Sequence, residues 1–361
     1  MLTIAIAASL GLVACGGTTE SAGDNIKIGM MTDSGTIDDK SFNQATWEGI
    51  KRYESENGTI VAQYIKPIGE TTADYMQAAD DLITAGNQMI IAPGFKFDEA
   101  ITKLQEQYPD IKFVMIDGQP EEVAENTIAI YFAEHEAGFL AGITAALETK
   151  TGKVGFIGGM KSESIEKFGY GYVAGVAYAN KHFGTNAEVV DYLYNGTFTD
   201  VAGGQAQAGS MYDKGIDIIF TAAGRVGSGV ITEAKTRTEA GDKVYVIGVD
   251  VDQYEDGIYN QETNESVILT SALKRVDNAS YTKIDEFING TFTGGEVITM
   301  TAEVDGVGLP ETNPNLTTET QETVNELLAN IKAGNLVIPS TEADVQSFLS
   351  EMGYQGAKIN F

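Results

Sequence analysis

The sequence runs to 361 residues, of which 43% are hydrophobic, and sets 52 acidic side chains against 23 basic ones for a formal net charge of −29. So much negative charge excludes nucleic acid as a partner, because a polyanion must be met by clustered lysine and arginine and the sequence contains no such cluster. One cysteine and two histidines, His135 and His182 in separate helical patterns, leave zinc binding and Cys/His catalysis without ligands, and no cofactor is expected.

The chain opens on an apolar run, 2–13, that leads into Leu12-Val13-Ala14-Cys15-Gly16. Small residues ahead of a cysteine form a lipobox, where a signal peptidase cuts and the Cys15 sulfur takes diacylglycerol. Residues 1–14 therefore read as a signal peptide, too short to span a bilayer. No lysine or arginine precedes Cys15, a departure from the usual signal-peptide pattern. Residues 15–25 are small, polar and glycine-containing, which predicts a lipidated, flexible tether. The mature chain is thereby expected outside the cytoplasm, anchored to the bacterial cell membrane through Cys15 and without an intrachain disulfide.

From residue 26 onward the composition is globular, and about 335 residues are too many for one core of typical size, so two lobes are expected. Strand-like runs occur at 26–32, 59–65, 88–92, 112–117 and 127–132, and a second set at 153–157, 187–194, 216–220, 244–249 and 267–273. Helical patterns separate them, which is the signature of βαβ units around parallel sheets. Continuous apolar stretches such as Ile218-Ile219-Phe220 suit strands covered on both faces. Phe139, Leu140, Ile143, Ala146 and Leu147 share one helical face, and Phe42, Ala45, Ile50 and Tyr53 share another behind a Ser41 cap. The duplicated pattern predicts a first lobe of 26–133 plus about 272–300 and a second of 134–271 plus about 301–361. The stretch 297–309 is strand-like again, and 317–333 and 342–352 are helical.

Ligands of open α/β sheets bind outside the carboxyl ends of the strands. Asp33, Asp117, Gly224, and Asp250 with Asp252 stand at such ends. The loop from Asp33 to Gln44 hands Phe42 and Asn43 to the first turn of a helix, a flat face beside a donor-acceptor pair that suits a planar heterocycle. The same two residues also suit a hydrophobic anchor and a helix cap. Asp117 and Asp250 can each accept two hydroxyl hydrogen bonds from a vicinal diol, or serve as caps and turn formers. Lys274 reaches the same cleft or stands as a solvated charge.

Three motif-like stretches fail on spacing. The run from Asp250 begins like a calcium loop but carries Tyr254, Glu255 and Gln261 where ligands and a glycine belong, and no metal is expected. Gly158-Gly159-Met160-Lys161-Ser162 lacks the spacing of a phosphate loop. Gly224-Arg225-Val226-Gly227-Ser228-Gly229 has its glycines in the wrong order for a dinucleotide fingerprint, leaving close backbone approach to a ligand or a tight turn.

Six blocks, taken together and in order, resemble the basic membrane protein family of lipoproteins, purine nucleoside receptors that feed ABC importers. They are Asp39-Lys40-Ser41-Phe42-Asn43-Gln44, the stretch from Glu134 to Gly142, Gly155-Phe156-Ile157-Gly158-Gly159, Asp217-Ile218-Ile219-Phe220 with Ala223-Gly224, the stretch from Ile247 to Gln253, and Ser271-Ala272-Leu273-Lys274. The resemblance implies an α/β, type I periplasmic-binding-protein fold, with two doubly wound parallel-sheet lobes joined by hinge crossovers that close on a ligand. It implies a base held between Phe42 and a second ring, Phe220, with Phe198 as the competing candidate. Asn43 and Asp117 would then bond the base or ribose, and Asp250 and Lys274 the ribose hydroxyls. A monomer that binds a purine nucleoside, engages an ABC permease and catalyses nothing is what the resemblance implies. A receptor for a sugar or other small signal, and a surface nucleoside or glycoside hydrolase, are the alternatives.

Overall fold

A computed structural model describes residues 26–354 and 356, in which the apolar runs assemble into two six-stranded sheets. The expected signal peptide and tether, Cys15 included, lie outside the described residues. The first lobe contains β1 (Ile26–Met31), α1 (Phe42–Asn57), β2 (Ile60–Ile65), α2 (Thr72–Thr84), β3 (Asn87–Pro93), α3 (Asp98–Gln107), β4 (Lys112–Ile116) and β5 (Thr127–Phe132). The second contains α4 (Glu134–Glu148), β6 (Lys153–Gly158), α5 (Glu163–His182), β7 (Glu188–Tyr194), α6 (Val201–Asp213), β8 (Ile218–Ala222), α7 (Arg225–Glu239) and β9 (Tyr245–Asp250). A small hairpin follows, β10 (Ile258–Asn260) and β11 (Glu265–Ser266), then β12 (Ile268–Lys274). The chain returns to the first lobe for α8 (Val276–Ile288) and β13 (Glu296–Met300). It ends in the second with β14 (Val307–Gly308), α9 (Thr318–Lys332) and α10 (Glu342–Met352).

The first sheet is ordered β13-β5-β4-β3-β1-β2 and is parallel throughout. The second is ordered β14-β12-β9-β8-β6-β7, with only β14 antiparallel to its neighbour. In each sheet the winding direction reverses beside an early strand, β1 or β6, and such a reversal opens a crevice at the strands' carboxyl ends. The chain passes between the sheets at Ala133, at Arg275 and through 301–306. Because β12 stays in the second sheet through Lys274, the return to the first falls slightly later than 272.

Two expected strands are reshaped by local chemistry. In the run at 216–220, β8 begins at Ile218; the Asp217 backbone already bonds to Lys153 (3.2 Å) and Tyr245 (2.8 Å), while its carboxylate turns back to accept hydrogen bonds from the Thr149 hydroxyl (2.5 Å) and the Lys150 and Thr151 amides (2.7 and 3.0 Å). The run at 297–309 breaks after Met300, since residues 301–306 make the last crossing through a 3₁₀ turn and a left-handed Asp305 at φ 56°.

Helices α4 and α5 meet along glycines. A Cβ at Gly138 or Gly142 would overlap the carbonyl oxygen of Phe168 or Tyr172, and one at Gly171 or Gly175 that of His135 or Phe139. The backbones are in contact, so a larger side chain in this seam must drive the helices apart. Gly142→Val is expected to lower the unfolding free energy by about 1–3 kcal/mol in urea denaturation, whereas Gly308→Ala, with nothing within 4 Å of its Cβ, is expected to leave the midpoint in place. Equal midpoints for the two variants would contradict the contact.

Candidate functional site: the cleft between the lobes

A cleft of about 360 Å³ opens between the carboxyl ends of the two sheets. The first lobe lines it with Asp33, Gly35, Asp39, Ser41, Phe42, Asn43, Gly94, Phe95, Asp98, Asp117 and Tyr131. The second contributes the start of α5 from Lys161 to Ile165, Phe168, Phe198, the turn from Ala222 to Arg225, Val249, Asp250 and Lys274.

The loop after β1 is held by one carboxylate. Asp39 Oδ1 accepts from the Ser41 and Gln44 amides (both 3.0 Å), and Oδ2 accepts from the Asn43 amide and Nδ2 (3.0 and 2.8 Å). Asp39 therefore caps α1, which Ser41 was expected to do. The Ser41 side chain makes no cap bond. Its hydroxyl instead crosses the cleft and donates to Asp250 Oδ2. Asn43 is buried and its amide is spent inside the loop: Oδ1 accepts from the Asp33 amide (3.2 Å), and Nδ2 donates to Asp33 Oδ1 (2.8 Å) as well as to Asp39. Gly35 allows this closeness, because a Cβ there would lie 2.6 Å from Asn43 Nδ2. Asn43 thus orients Asp33, whose carboxyl burial pushes upward in pKa against the hydrogen bonds from Asn43 and Gly35.

The deepest part of the cleft is charged. Lys274, at the end of β12, is 1% exposed and donates to Asp117 Oδ2, to Ser164 Oγ (2.8 Å) and to Glu134 Oε1 (2.8 Å). Its ammonium lies 5.2 Å from the ring centroids of Phe42 and Phe132 and 6.0 Å from that of Phe168. Burial alone would lower the Lys274 pKa, but the carboxylates of Asp117, Glu134 and Asp250 outweigh it and hold the ammonium charged above its usual range. Burial pushes Glu134 upward against the pull of Lys274. Asp117 and Asp250 both adopt left-handed backbone, φ 59° and 66°, a conformation that a non-glycine residue keeps only when its surroundings demand it. Asp117 Oδ1 is buried with no hydrogen-bond partner.

The aromatic groups divide differently from the expectation. Phe42 is half-buried at the first turn of α1 and lines the cleft from the first lobe. Phe220 does not reach it: its ring is fully buried in the second lobe against Phe156, Phe168 and Tyr172. The third residue of a strand covered on both faces points into packing, and Phe220 holds that place in β8. Phe198, from the loop between β7 and α6, is the half-buried ring that lines the cleft from the second lobe. It lies on Gly159, where a Cβ would strike the ring, and against Gly224, which takes φ 56°. Gly224 therefore serves as the close-approach turn in the cleft wall.

A family model for ABC transporter substrate-binding proteins of the PnrA-like type, Bmp, matches residues 26–342. The chain belongs to the Bmp family. It is 33% identical over 331 residues to the ABC transporter nucleoside-binding protein BmpA of Lactococcus lactis subsp. cremoris, covering 90% of this chain and 92% of the relative. It is 35% identical over 353 residues to a CD4+ T-cell-stimulating antigen of Listeria innocua serovar 6a, covering 94% and 97%. Among solved structures it is similar to an ABC transporter system solute-binding protein from Aeropyrum pernix K1, at 26% identity and a TM-score of 0.76 over 91% of this chain and 97% of the other. The fold is that of the type I periplasmic solute-binding proteins, as expected. This Bmp-family chain is a substrate-binding protein of an ABC transporter, a class that meets its solute on the outer side of the cytoplasmic membrane.

Of the residues singled out in the sequence, the Bmp-family cleft collects Asp33, Phe42, Asn43, Asp117, Phe198, Gly224, Asp250 and Lys274 and leaves out Phe220. Asp252 turns away, its Oδ1 accepting from the Tyr254 amide at 3.0 Å. Asp98, Tyr131, Glu134 and Ser164 were missed. Glu134 and Ser164 meet Lys274 only through long-range folding, so no local spacing marks them. Among the described residues no cluster of three metal-ligating side chains occurs.

The buried acids set the pH response of the ligand-free Bmp protein. Burial raises Asp250 from its ordinary 3.8 to about 7, against the opposing pull of Lys274 and Ser41, and burial raises Asp98 likewise to about 7. A carboxyl group that holds its proton more tightly folded than unfolded stabilises fully below its unfolded pKa and loses that contribution as pH rises through its folded pKa. Chemical denaturation is therefore expected to give a smaller unfolding free energy at pH 8 than at pH 5, with Asp250→Asn narrowing the difference. A flat or rising profile in the parent protein would argue against these buried acids.

Proposed function

We propose that this chain captures a purine nucleoside between its two lobes and delivers it to an ABC permease, acting as a monomer anchored outside the cell membrane by a lipid on Cys15. The observation that carries this reading is the pair of rings, Phe42 and Phe198, presented to one cleft by opposite lobes beside a buried Lys274-Asp117-Asp250 cluster. Two aromatic faces suit a flat heterocycle, which stacks without requiring a particular hydrogen-bond pattern. Carboxylates and an ammonium fixed at strand ends suit the vicinal hydroxyls of a ribose. Membership of the Bmp family and the likeness to a nucleoside-binding relative support the same solute class. Contacts from both lobes give a ligand the differential affinity that favours the closed form.

No catalytic step is assigned. Asp33 and Asp117 hold the solute from the first lobe, Asp250 and Lys274 from the second, and Gly224 lets backbone approach it closely.

Adding inosine, guanosine or adenosine to the purified protein is expected to raise its melting temperature by mass action, with chromatography finding no free base afterwards. Phe42→Ala and Phe198→Ala are expected to weaken binding about tenfold to a hundredfold, the range of a lost base-aromatic stack, at nearly unchanged ligand-free melting temperature. Phe220→Ala is expected to act on stability, lowering it by about 3–5 kcal/mol. If no nucleoside shifts the melting temperature at millimolar concentration, the assignment fails.

A further inference from the structure

Two groups in the first-lobe wall have hydrogen-bonding capacity that the fold does not use. Asp98 opens α3 and lines the cleft, and its Oδ1 is buried with no hydrogen-bond partner. The carboxyl lies against Gly118, where a Cβ would collide with that oxygen, and the Gln119 amide is the hydrogen bond that favours its charged form. Tyr131, on β5, is half-buried in the same wall, close enough for the Asp98 charge to act on its hydroxyl. A carboxyl group with an unpartnered oxygen, in the same cleft wall as a hydroxyl that both donates and accepts, has the groups of a two-point reader for a planar edge.

Resting on the reading that the solute is a purine nucleoside, we propose that Asp98 and Tyr131 recognise the base by its Watson–Crick edge, Asp98 facing N1 and Tyr131 facing the substituent at C6. A 6-oxopurine offers an N1–H donor and an O6 acceptor. It pairs with an ionised Asp98 and a donating Tyr131. Adenine offers the reverse, an N1 acceptor and a 6-amino donor, and pairs with a protonated Asp98 and an accepting Tyr131. Burial raises the Asp98 carboxyl to about 7, so both forms exist near neutral pH and one wall serves both bases. Tyr131 keeps its proton throughout, since burial first, then the charges of Asp98, Glu163, Asp117 and Glu134, raise it to about 12.

The charged neighbours leave Asp98 free to play this part. Asp117 on the loop after β4 gives only Oδ2 to Lys274 and keeps Oδ1 buried without a partner, and Asp33 after β1 accepts from Asn43 and Gly35 on Oδ1; in the proposed complex both face the ribose and not the base edge. Lys96, just before α3, is paired with Glu70 at 2.6 Å. Across the cleft, Glu163 is paired with Lys167 at 2.6 Å, and Lys161 with Glu166 at 3.3 Å. Asp250 titrates in the same range, but it meets guanosine and adenosine alike and so cancels from the ratio of their affinities.

The test is the ratio of dissociation constants for adenosine and guanosine, measured by calorimetry at pH 6 and pH 8. Each nucleoside selects one protonation state of a group titrating near 7. Guanosine is expected to tighten and adenosine to weaken by about tenfold each as pH rises, moving the ratio about a hundredfold. Asp98→Asn is expected to make the ratio independent of pH, and Tyr131→Phe to weaken guanosine about threefold to tenfold at pH 8. A parent ratio that is the same at both pH values, or one that still moves in Asp98→Asn, overturns the proposal. If Asp98→Asn does not fold, the parent ratio and Tyr131→Phe decide alone. Failure of every nucleoside to bind would instead remove the nucleoside reading itself.

Discussion

The structure is organised around a lysine ammonium kept out of water. An unpaired charge in such a place would cost several kcal/mol, and Lys274 is tolerated because Asp117, Glu134 and Ser164 converge on it while three rings close its surroundings. Those partners come from different lobes and from positions far apart in the chain. Asp117 directly follows a strand of the first sheet, and Lys274 ends a strand of the second, one residue before the chain crosses over. Satisfying one charge therefore fixes the depth of the cleft and ties the lobes together beside their crossings.

A second tie stands at the start of α1. Ser41 reaches Asp250, Gln253 Nε2 donates to the Lys40 carbonyl at 2.7 Å, and the Lys40 ammonium lies 3.4 Å from Asp256. Gln253 is itself held, with Oε1 accepting from the Val249 amide at 3.0 Å, so a rigid strand end grips the loop. Lys40 pays for this position in left-handed backbone at φ 61°. The Asp39 carboxylate makes that conformation part of a cap instead of a defect. The exposed Lys40-Asp256 pair adds little on its own, whereas the buried amide and hydroxyl contacts set geometry.

Much of the fold was legible because parallel strands buried on both faces are written as unbroken apolar runs, as in Val244 to Val249 and Ile28 to Met31. The polar residues just past those runs, Asp33, Asp117 and Asp250, marked the cleft for the same reason. Aromatic residues were harder to place. Phe220 stands inside an apolar run and Phe198 in an irregular loop between Gly196 at φ 92° and Asp200; the family resemblance favoured Phe220 with Phe198 as its competitor, and the ring of Phe220 belongs to the core. Asn43 resembled a ligand group because a free amide and one spent on Asp33 and Asp39 have the same sequence. Asp98 was not singled out and Tyr131 lay inside the expected strand 127–132, and only the folded wall brings them together.

The glycine seam between α4 and α5 also governs how force can travel. Helices whose backbones touch cannot shear past one another, since no side chains lie between them to change rotamer. With α4 starting immediately after the crossing at Ala133, and Glu134 at its head bonded to Lys274, the closely packed pair is joined directly to the buried ammonium. Only three narrow crossings join this helical layer to the first lobe.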